Sequence, residues 1–228
     1  MIGIMSAISF EVSNTLFDKL INRETENRLG HDFHRGILAG HEVVITTTGI
    51  GKVRAAARTQ YCIDHFDVEK LIFVGVAGAL NPRLKVGDIV ISQQVMQHDF
   101  ALSADPKIEN KGSHCYYGDS EMIQIVRDVG ERLGYDDRLH FGKILTGDQV
   151  IHDQSKKERL HEELDGDCVE MEGAAVGMVC RMNMIPFVLL RGISDLANEQ
   201  MIQDHLQSLP GLIEHNTQLL IELVENLP

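Results

Sequence analysis

The stretch Val169-Glu170-Met171-Glu172-Gly173-Ala174-Ala175 sets two carboxylates and a thioether between an apolar strand end and a run of small residues that continues as a helix. The surrounding run, 168–180, is otherwise apolar and reads as interior. Charged side chains are rarely buried without a partner, and an unpartnered buried carboxylate is driven toward its neutral form. Two readings follow. In one, one glutamate caps the first helical turn, where acidic groups suit the positive end of the helix, and the other is solvated. In the other, the hydroxyls of a bound ligand keep Glu172 ionised. A second acidic stretch, Arg191-Gly192-Ile193-Ser194-Asp195, in which Asp195 follows a strongly apolar strand, favours the ligand.

The rest of the composition narrows the class. The 228 residues are 43% hydrophobic and 24% charged, an ordinary globular balance. A formal net charge of −13 and the lack of a Lys/Arg cluster argue against nucleic acid as a partner. Lys156-Lys157 stands alone and Glu158 follows at once. Cys62, Cys115, Cys168 and Cys180 show neither zinc nor redox spacing and read mainly as small core residues. The apolar start, residues 2–8, has no basic leader and is too short for a signal peptide or a membrane span, so a soluble cytoplasmic protein is expected.

Along the chain, residues 1–7 read as a buried strand. Ser9 could cap a helix over 10–22, with Val12, Leu16, Leu20 and Ile21 facing inward. Glu11 falls just past the strand end, where open α/β sheets bind ligands. Residues 31–39 and 41–48 form a predicted antiparallel pair turning at Ala39-Gly40. The second leads into Gly49-Ile50-Gly51-Lys52. This is not a phosphate loop: Thr46 stands where the first glycine belongs, and Val53 replaces the Ser or Thr that holds magnesium. A helix over 53–65 follows, then a strand over 70–75 entering an expected turn, Gly75-Val76-Ala77-Gly78-Ala79-Leu80. Its bare backbone would allow close approach of a ligand or simply pack tightly.

A further strand starts at Val86 and extends toward His98-Asp99, which reads as a structural polar pair because neighbours in a strand face opposite ways. Residues 100–118 read as a long loop suited to a lid or a partner contact. Then come a helix over 120–133, a strand over 140–146 with the turn Gly147-Asp148, and a polar helix over 155–164. After the opening motif, a strand over 187–191 and a last amphipathic segment over 209–227 complete the chain. No repeat or linker interrupts it, and one domain spanning 1–228 is expected. The alternation predicts an α/β fold: a three-layer α/β/α sandwich around a twisted mixed β-sheet. Glu11, the 75–78 stretch, Glu172 and Asp195 each follow a predicted strand and so share one rim if those strands run parallel.

The order and spacing of Gly49-Ile50-Gly51-Lys52-Val53, Gly75-Val76-Ala77-Gly78, Leu84-Lys85-Val86-Gly87-Asp88, Thr146-Gly147-Asp148, Val169-Glu170-Met171-Glu172 and Arg191-Gly192-Ile193-Ser194-Asp195 are highly specific together. Over nearly its whole length the chain resembles the 5′-methylthioadenosine/S-adenosylhomocysteine nucleosidases, a branch of the nucleoside phosphorylase superfamily. That resemblance implies hydrolysis of the N-glycosidic bond of an adenine nucleoside, releasing adenine and a 5-substituted ribose. It implies that Glu11 activates water, Asp195 protonates the adenine N7, Glu172 holds the ribose hydroxyls and Met171 packs on the ribose. Ile151 would meet the base through its backbone, with Val150 beside it. It implies a homodimer whose second subunit completes the 5′ pocket. Ile8, Ile50 and Val76 would suit an alkylthio group, and Glu170, Ala77, Gly78, Arg191 and Ser194 complete the expected substrate-binding set. The chemistry needs no metal or redox cofactor. Relatives often carry Ser at Val76 and Phe at Val150, and the loop 101–118 and the segment 201–209 also depart from the family pattern.

Three alternatives stand beside this expectation. A phosphate-dependent purine nucleoside phosphorylase would need a basic cluster near 75–78. A futalosine-type hydrolase would share the fold, though Ser194-Asp195 fits an aminated purine better. A nucleoside-binding protein without catalysis would not need Glu11, Glu172 and Asp195 together.

Overall fold

The computed structural model describes residues 1–9, 14–100, 114–198 and 201–228. Among these, the strands join into one mixed ten-stranded sheet. The first five elements are β1 (Ile2–Ser6), α1 (Asn14–Asp18), β2 (Ile21–Arg28), β3 (His31–Leu38) and β4 (His41–Thr47). Then follow α2 (Lys52–Phe66), β5 (Lys70–Ala79), β6 (Ile89–Gln97), β7 (Cys115–Tyr117), α3 (Ser120–Leu133) and β8 (Leu139–Thr146). The chain ends with α4 (Gln154–Leu164), β9 (Cys168–Glu170), α5 (Gly173–Met182), β10 (Phe187–Asp195) and α6 (Met201–Asn226).

The central strands are apolar without alternation because both faces of the sheet are covered, as parallel sheets require. Successive residues point into different layers. Met5, Val44, Leu71, Phe73 and Leu189 pack with Ala55 and Cys62 of α2 and Ala174 and Val176 of α5. Their neighbours Ile4, Val43, Ile45, Ile72 and Leu190 pack with Met122 and Val126 of α3 and Leu219 and Leu223 of α6. The predicted α/β/α sandwich is therefore present. A smaller apolar cluster under α4 joins Leu160 to Leu145, Ile151, Val169 and Ala197.

Several boundaries differ from the sequence reading; β10 runs on to Asp195 where a strand over 187–191 was expected, and β7 falls inside the expected loop 100–118. Of the expected helix over 10–22, residues 10–13, with Val12, lie outside the described residues; the described part is helical over α1 and passes at once into the edge strand β2. Leu16 and Leu20 are buried as expected, but Ile21 is 62% exposed. β2 is almost wholly exposed along its length and pairs with β3 alone, so it has no apolar alternation to betray it. The β2–β3 hairpin turns on Leu29 and Gly30, both with positive φ (52° and 73°), the twist that two-residue hairpins favour.

The expected turn over 75–80 is instead the second half of β5. That half gains partners on both sides, Gly78 opposite Val169 of β9 and Arg191 through Asp195 of β10 alongside. With β10 also on β6, and β8 bridging β6 to β9, the strands β5, β10, β6, β8 and β9 close into a ring at this end of the sheet. The glycines serve close strand approach: a Cβ on Gly78 would lie 2.9 Å from the Asp195 carboxylate. β6 starts at Ile89 rather than Val86, after a turn whose Gly87 sits at φ 101°. α6 starts at Met201 and runs through Pro210, whereas the sequence reading began the segment at Leu209.

Candidate active site

At the ring end of the sheet a cavity of about 250 Å³ opens among the strand ends. One wall is the β5 segment Val76, Ala77 and Gly78; Val169, Glu170, Met171 and Glu172 of the β9–α5 corner form a second. Ser194 and Asp195 close β10 against it, Gln149, Val150 and Ile151 come from the loop after β8, and Ala7, Ile8 and Ile50 complete the apolar side. Twelve of the fourteen residues proposed from sequence thus meet in one place. Glu11 lies outside the described residues, two positions after Ser9. Arg191 is the exception among those described: it is 1% exposed and sits behind the wall. Ala7, Gln149 and Val169 were not anticipated, and only Gln149 brings a polar side chain. A larger cavity of about 500 Å³ shares Ala7 and Ile8, but its titratable lining is His31, Asp32 and His34 of β3, away from the acidic pair.

The two glutamates of the opening motif have separate tasks. Glu170 accepts from Arg191 Nη2 at 2.8 Å, from the Glu172 N–H at 3.0 Å, from the Gly173 N–H at 2.7 Å and from the Thr146 hydroxyl. Thr146 in turn accepts the Ala174 N–H at 2.8 Å. The first amides of α5, which no helical carbonyl can satisfy, are therefore capped by side chains from β9 and β8. The Arg191 guanidinium also lies over the Phe73 ring, 4.4 Å from its centroid. Glu170 reaches the cavity edge, but its carboxylate is committed to the framework; the substrate-binding roles expected for Glu170 and Arg191 give way to this buried pair. The capping reading of the motif holds for one glutamate, and the other is not solvated.

Glu172 is 5% exposed, and its Oε1 accepts the Gly51 N–H at 2.8 Å. Gly51 has φ 98°, a conformation that glycine reaches without strain and that aims the amide across the cavity. Asp195 is 7% exposed. Its Oδ2 accepts the Ser194 hydroxyl and its Oδ1 the Ala197 N–H, both at 2.8 Å. The β5–β10 register shifts between Ile193 and Asp195, a bulge that sets Asp195 opposite Gly78.

A polar clasp that the sequence reading missed joins the rim loops. Lys52 Nζ meets Asp99 at 2.5 Å and Asp148 at 3.6 Å, and the Lys52 and Asp148 amides donate to Asp148 (3.0 Å) and Asp99 (2.9 Å) respectively. The Gly-Lys pair that superficially suggests phosphate binding thus ties the loops after β4, β6 and β8 together. Burial alone would raise the Asp99 pKa, but the hydrogen bonds from Lys52 and Asp148 and the Lys52 charge outweigh it and hold the carboxyl below its ordinary range. Next to the clasp, burial pushes His98 below the usual imidazole value, with the Asp99 charge opposing. A Cβ on Gly147 would fall 2.2 Å from the His98 ring, so glycine is required there. Among the described residues no group of three His, Cys, Asp or Glu side chains is arranged to hold a metal ion.

Known proteins are similar to this chain over nearly their full length. The sequence pattern of the phosphorylase superfamily matches residues 1–225. A 5′-methylthioadenosine/S-adenosylhomocysteine nucleosidase of Tolumonas auensis is 32% identical, with 99% of each chain covered. The solved structure of the Helicobacter pylori nucleosidase of the same name, with butyl-thio-DADMe-Immucillin-A, superposes with a TM-score of 0.92 at 30% identity, covering 99% of this chain and 98% of that one. The native structure of a futalosine hydrolase of Helicobacter pylori superposes at 0.91, also at 30% identity, covering 99% and 97%. Identity of this degree across both chains, on top of the shared fold, places the protein in the phosphorylase superfamily and, within it, among the 5′-methylthioadenosine/S-adenosylhomocysteine nucleosidases.

Proposed function

We propose that one catalytic domain spanning the chain hydrolyses the N-glycosidic bond of 5′-methylthioadenosine, S-adenosylhomocysteine and related adenine nucleosides. The observation that carries this reading is that Glu172 and Asp195, 23 positions apart in the chain, line the same cavity beside apolar walls. Cleavage leaves positive charge on the ribose while the bonding electron pair moves into the purine. Asp195 gives a proton to N7, so that adenine departs neutral, a contribution of about 10²- to 10⁴-fold. Glu172 accepts from the ribose hydroxyls and favours the cationic sugar. Glu11, three residues beyond the cavity-lining Ile8, takes a proton from the water whose oxygen bonds to C1′. Met171 packs on the ribose, Ile151 and Val150 flank the base, and Ile8, Ile50 and Val76 accept the alkylthio group.

Water rather than phosphate is the acceptor in this reading, because no Lys or Arg stands among the described residues that line the cavity to hold a phosphate anion. The test is adenine release from methylthioadenosine with and without phosphate. Equal rates are expected; turnover that required phosphate would overturn hydrolysis, and tight binding without turnover would make the chain a nucleoside-binding protein. The active form is a homodimer, a reading supported by exposed Ile50 and Val53 (49% and 81%) beside the cavity. Light scattering at micromolar concentration should return twice the chain mass. The enzyme works in the cytoplasm, consistent with there being no helix among the described residues long and apolar enough to cross a membrane.

A further inference from the structure

One contact near Asp195 has no part in the reaction as outlined. Lys157, half-buried in the first turns of α4, donates from Nζ to the Leu196 carbonyl at 2.6 Å. That carbonyl belongs to the same peptide as the Ala197 N–H, and the chain has no cis peptide bond among its described residues. In a planar trans peptide the two groups point opposite ways. The ammonium therefore grips one end of the unit while the other end donates to Asp195 Oδ1 at 2.8 Å. Ala197 holds φ 49°, an uncommon backbone angle for a residue with a Cβ, so the peptide is kept in place against its local preference. Lys157 also feels the Asp195 charge: burial pushes its pKa down, while Asp195 and then Glu158 pull it the other way.

The two oxygens of Asp195 are not equivalent. Oδ1 faces an amide that can only donate, so a proton on Oδ1 would meet another hydrogen. Oδ2 faces the Ser194 hydroxyl, which can rotate, and the Ala77 carbonyl lies 3.4 Å from that hydroxyl as a second acceptor. We propose that Lys157 is a positioning residue for the acid: by fixing the Leu196–Ala197 peptide it holds Oδ1 as a permanent acceptor and reserves Oδ2 for the proton delivered to N7. The inference rests on the role of Asp195 given above. In the step it describes, the O–H bond at Oδ2 breaks as the N7–H bond forms. Asp195 is left as a carboxylate and regains its proton from water after adenine leaves.

The experiment compares wild type, K157M, K157Q, K157R and D195N on two substrates. One is methylthioadenosine; the other is 4-nitrophenyl 5-methylthioriboside, whose leaving group needs no proton. Lys157→Met and Lys157→Gln should lower kcat for methylthioadenosine by about tenfold with KM within twofold, a share of the acid's contribution. Both should leave nitrophenol release unchanged, and Lys157→Arg should restore most of the loss. Normal adenine release by both neutral variants, or equal losses on both substrates, would overturn the inference. Asp195→Asn separates the two claims. If it still releases adenine at the wild-type rate, the assignment of the acid falls. If it is inactive while the Lys157 variants are normal, only the role of Lys157 falls.

Discussion

Two corners of the cavity carry acids, and they are built on different plans. At the β9–α5 corner the buried carboxylate of Glu170 is fully engaged by Arg191, Thr146 and two amides at the helix start, and Glu172, also buried, is left facing the cavity. At the β10 end a single acid, Asp195, holds both tasks, anchored at Oδ1 and facing a hydroxyl at Oδ2. The difference follows from charge state. A group that must remain ionised can be supported by a neighbouring ion pair, whereas one that must exchange a proton needs a partner able to reverse its hydrogen bond. On the proposed mechanism the first corner is a scaffold with a ligand contact attached, and the second a proton donor with a minimal anchor.

This contrast can be broken by mutation. The largest effect should come from Asp195→Asn: adenine release falls by about 10²- to 10⁴-fold, while thermal denaturation stays near wild type. Loss of the fold instead would make Asp195 part of the scaffold. Arg191→Met should do the reverse, lowering stability by about 3–5 kcal/mol, because it leaves the Glu170 carboxylate buried without its cation. A denaturant midpoint close to wild type would show that the pair is not structural. Glu172→Gln should reduce kcat/KM by roughly ten- to a hundredfold, the scale of a hydrogen bond to a charged group, with the melting temperature little changed. Val150, 54% exposed at the base side, offers a small apolar face. Val150→Phe should lower KM by roughly three- to tenfold through stacking, and steady-state kinetics on methylthioadenosine would check it.

The smallest effect concerns His98, beside the clasp that ties the rim loops. Because burial depresses the His98 pKa, the unfolded chain takes up a proton near the ordinary value of 6.5 that the folded protein refuses. Stability from this group is present above that pH and is lost as the pH falls below it. Melting curves from pH 8 to pH 5 should show the decline, and His98→Asn should flatten that part of the profile. An unchanged slope in the variant would remove His98 as its cause.

Much of the fold was legible from local pattern. The apolar runs of β1, β4, β5 and β10 announced covered strands, and α3 showed its amphipathic face. β2 was not legible, since an exposed edge strand of INRETENR has neither a buried face nor an apolar period. The extension of β5 through Gly78 was hidden for another reason: glycines signal a turn unless a neighbouring strand occupies the space a side chain would fill. The site was legible as a set of residues, twelve of which line one cavity, but Arg191 looked like a ligand contact because it shares a motif with Asp195, and its pairing with buried Glu170 is not visible in the sequence.

The amino-acid sequence by itself determined the layered α/β architecture, the motifs that place the chain in its family, and the identity of the acids, since hydrophobic periodicity and residue chemistry are local properties. Only the tertiary structure decided which partner each acid has. Glu172 is held by an amide 121 positions away, and Glu170 is neutralised by an arginine 21 positions on. A buried charge takes its role from whichever partner the folded chain brings within hydrogen-bond range, and that partner is set by the packing of distant elements.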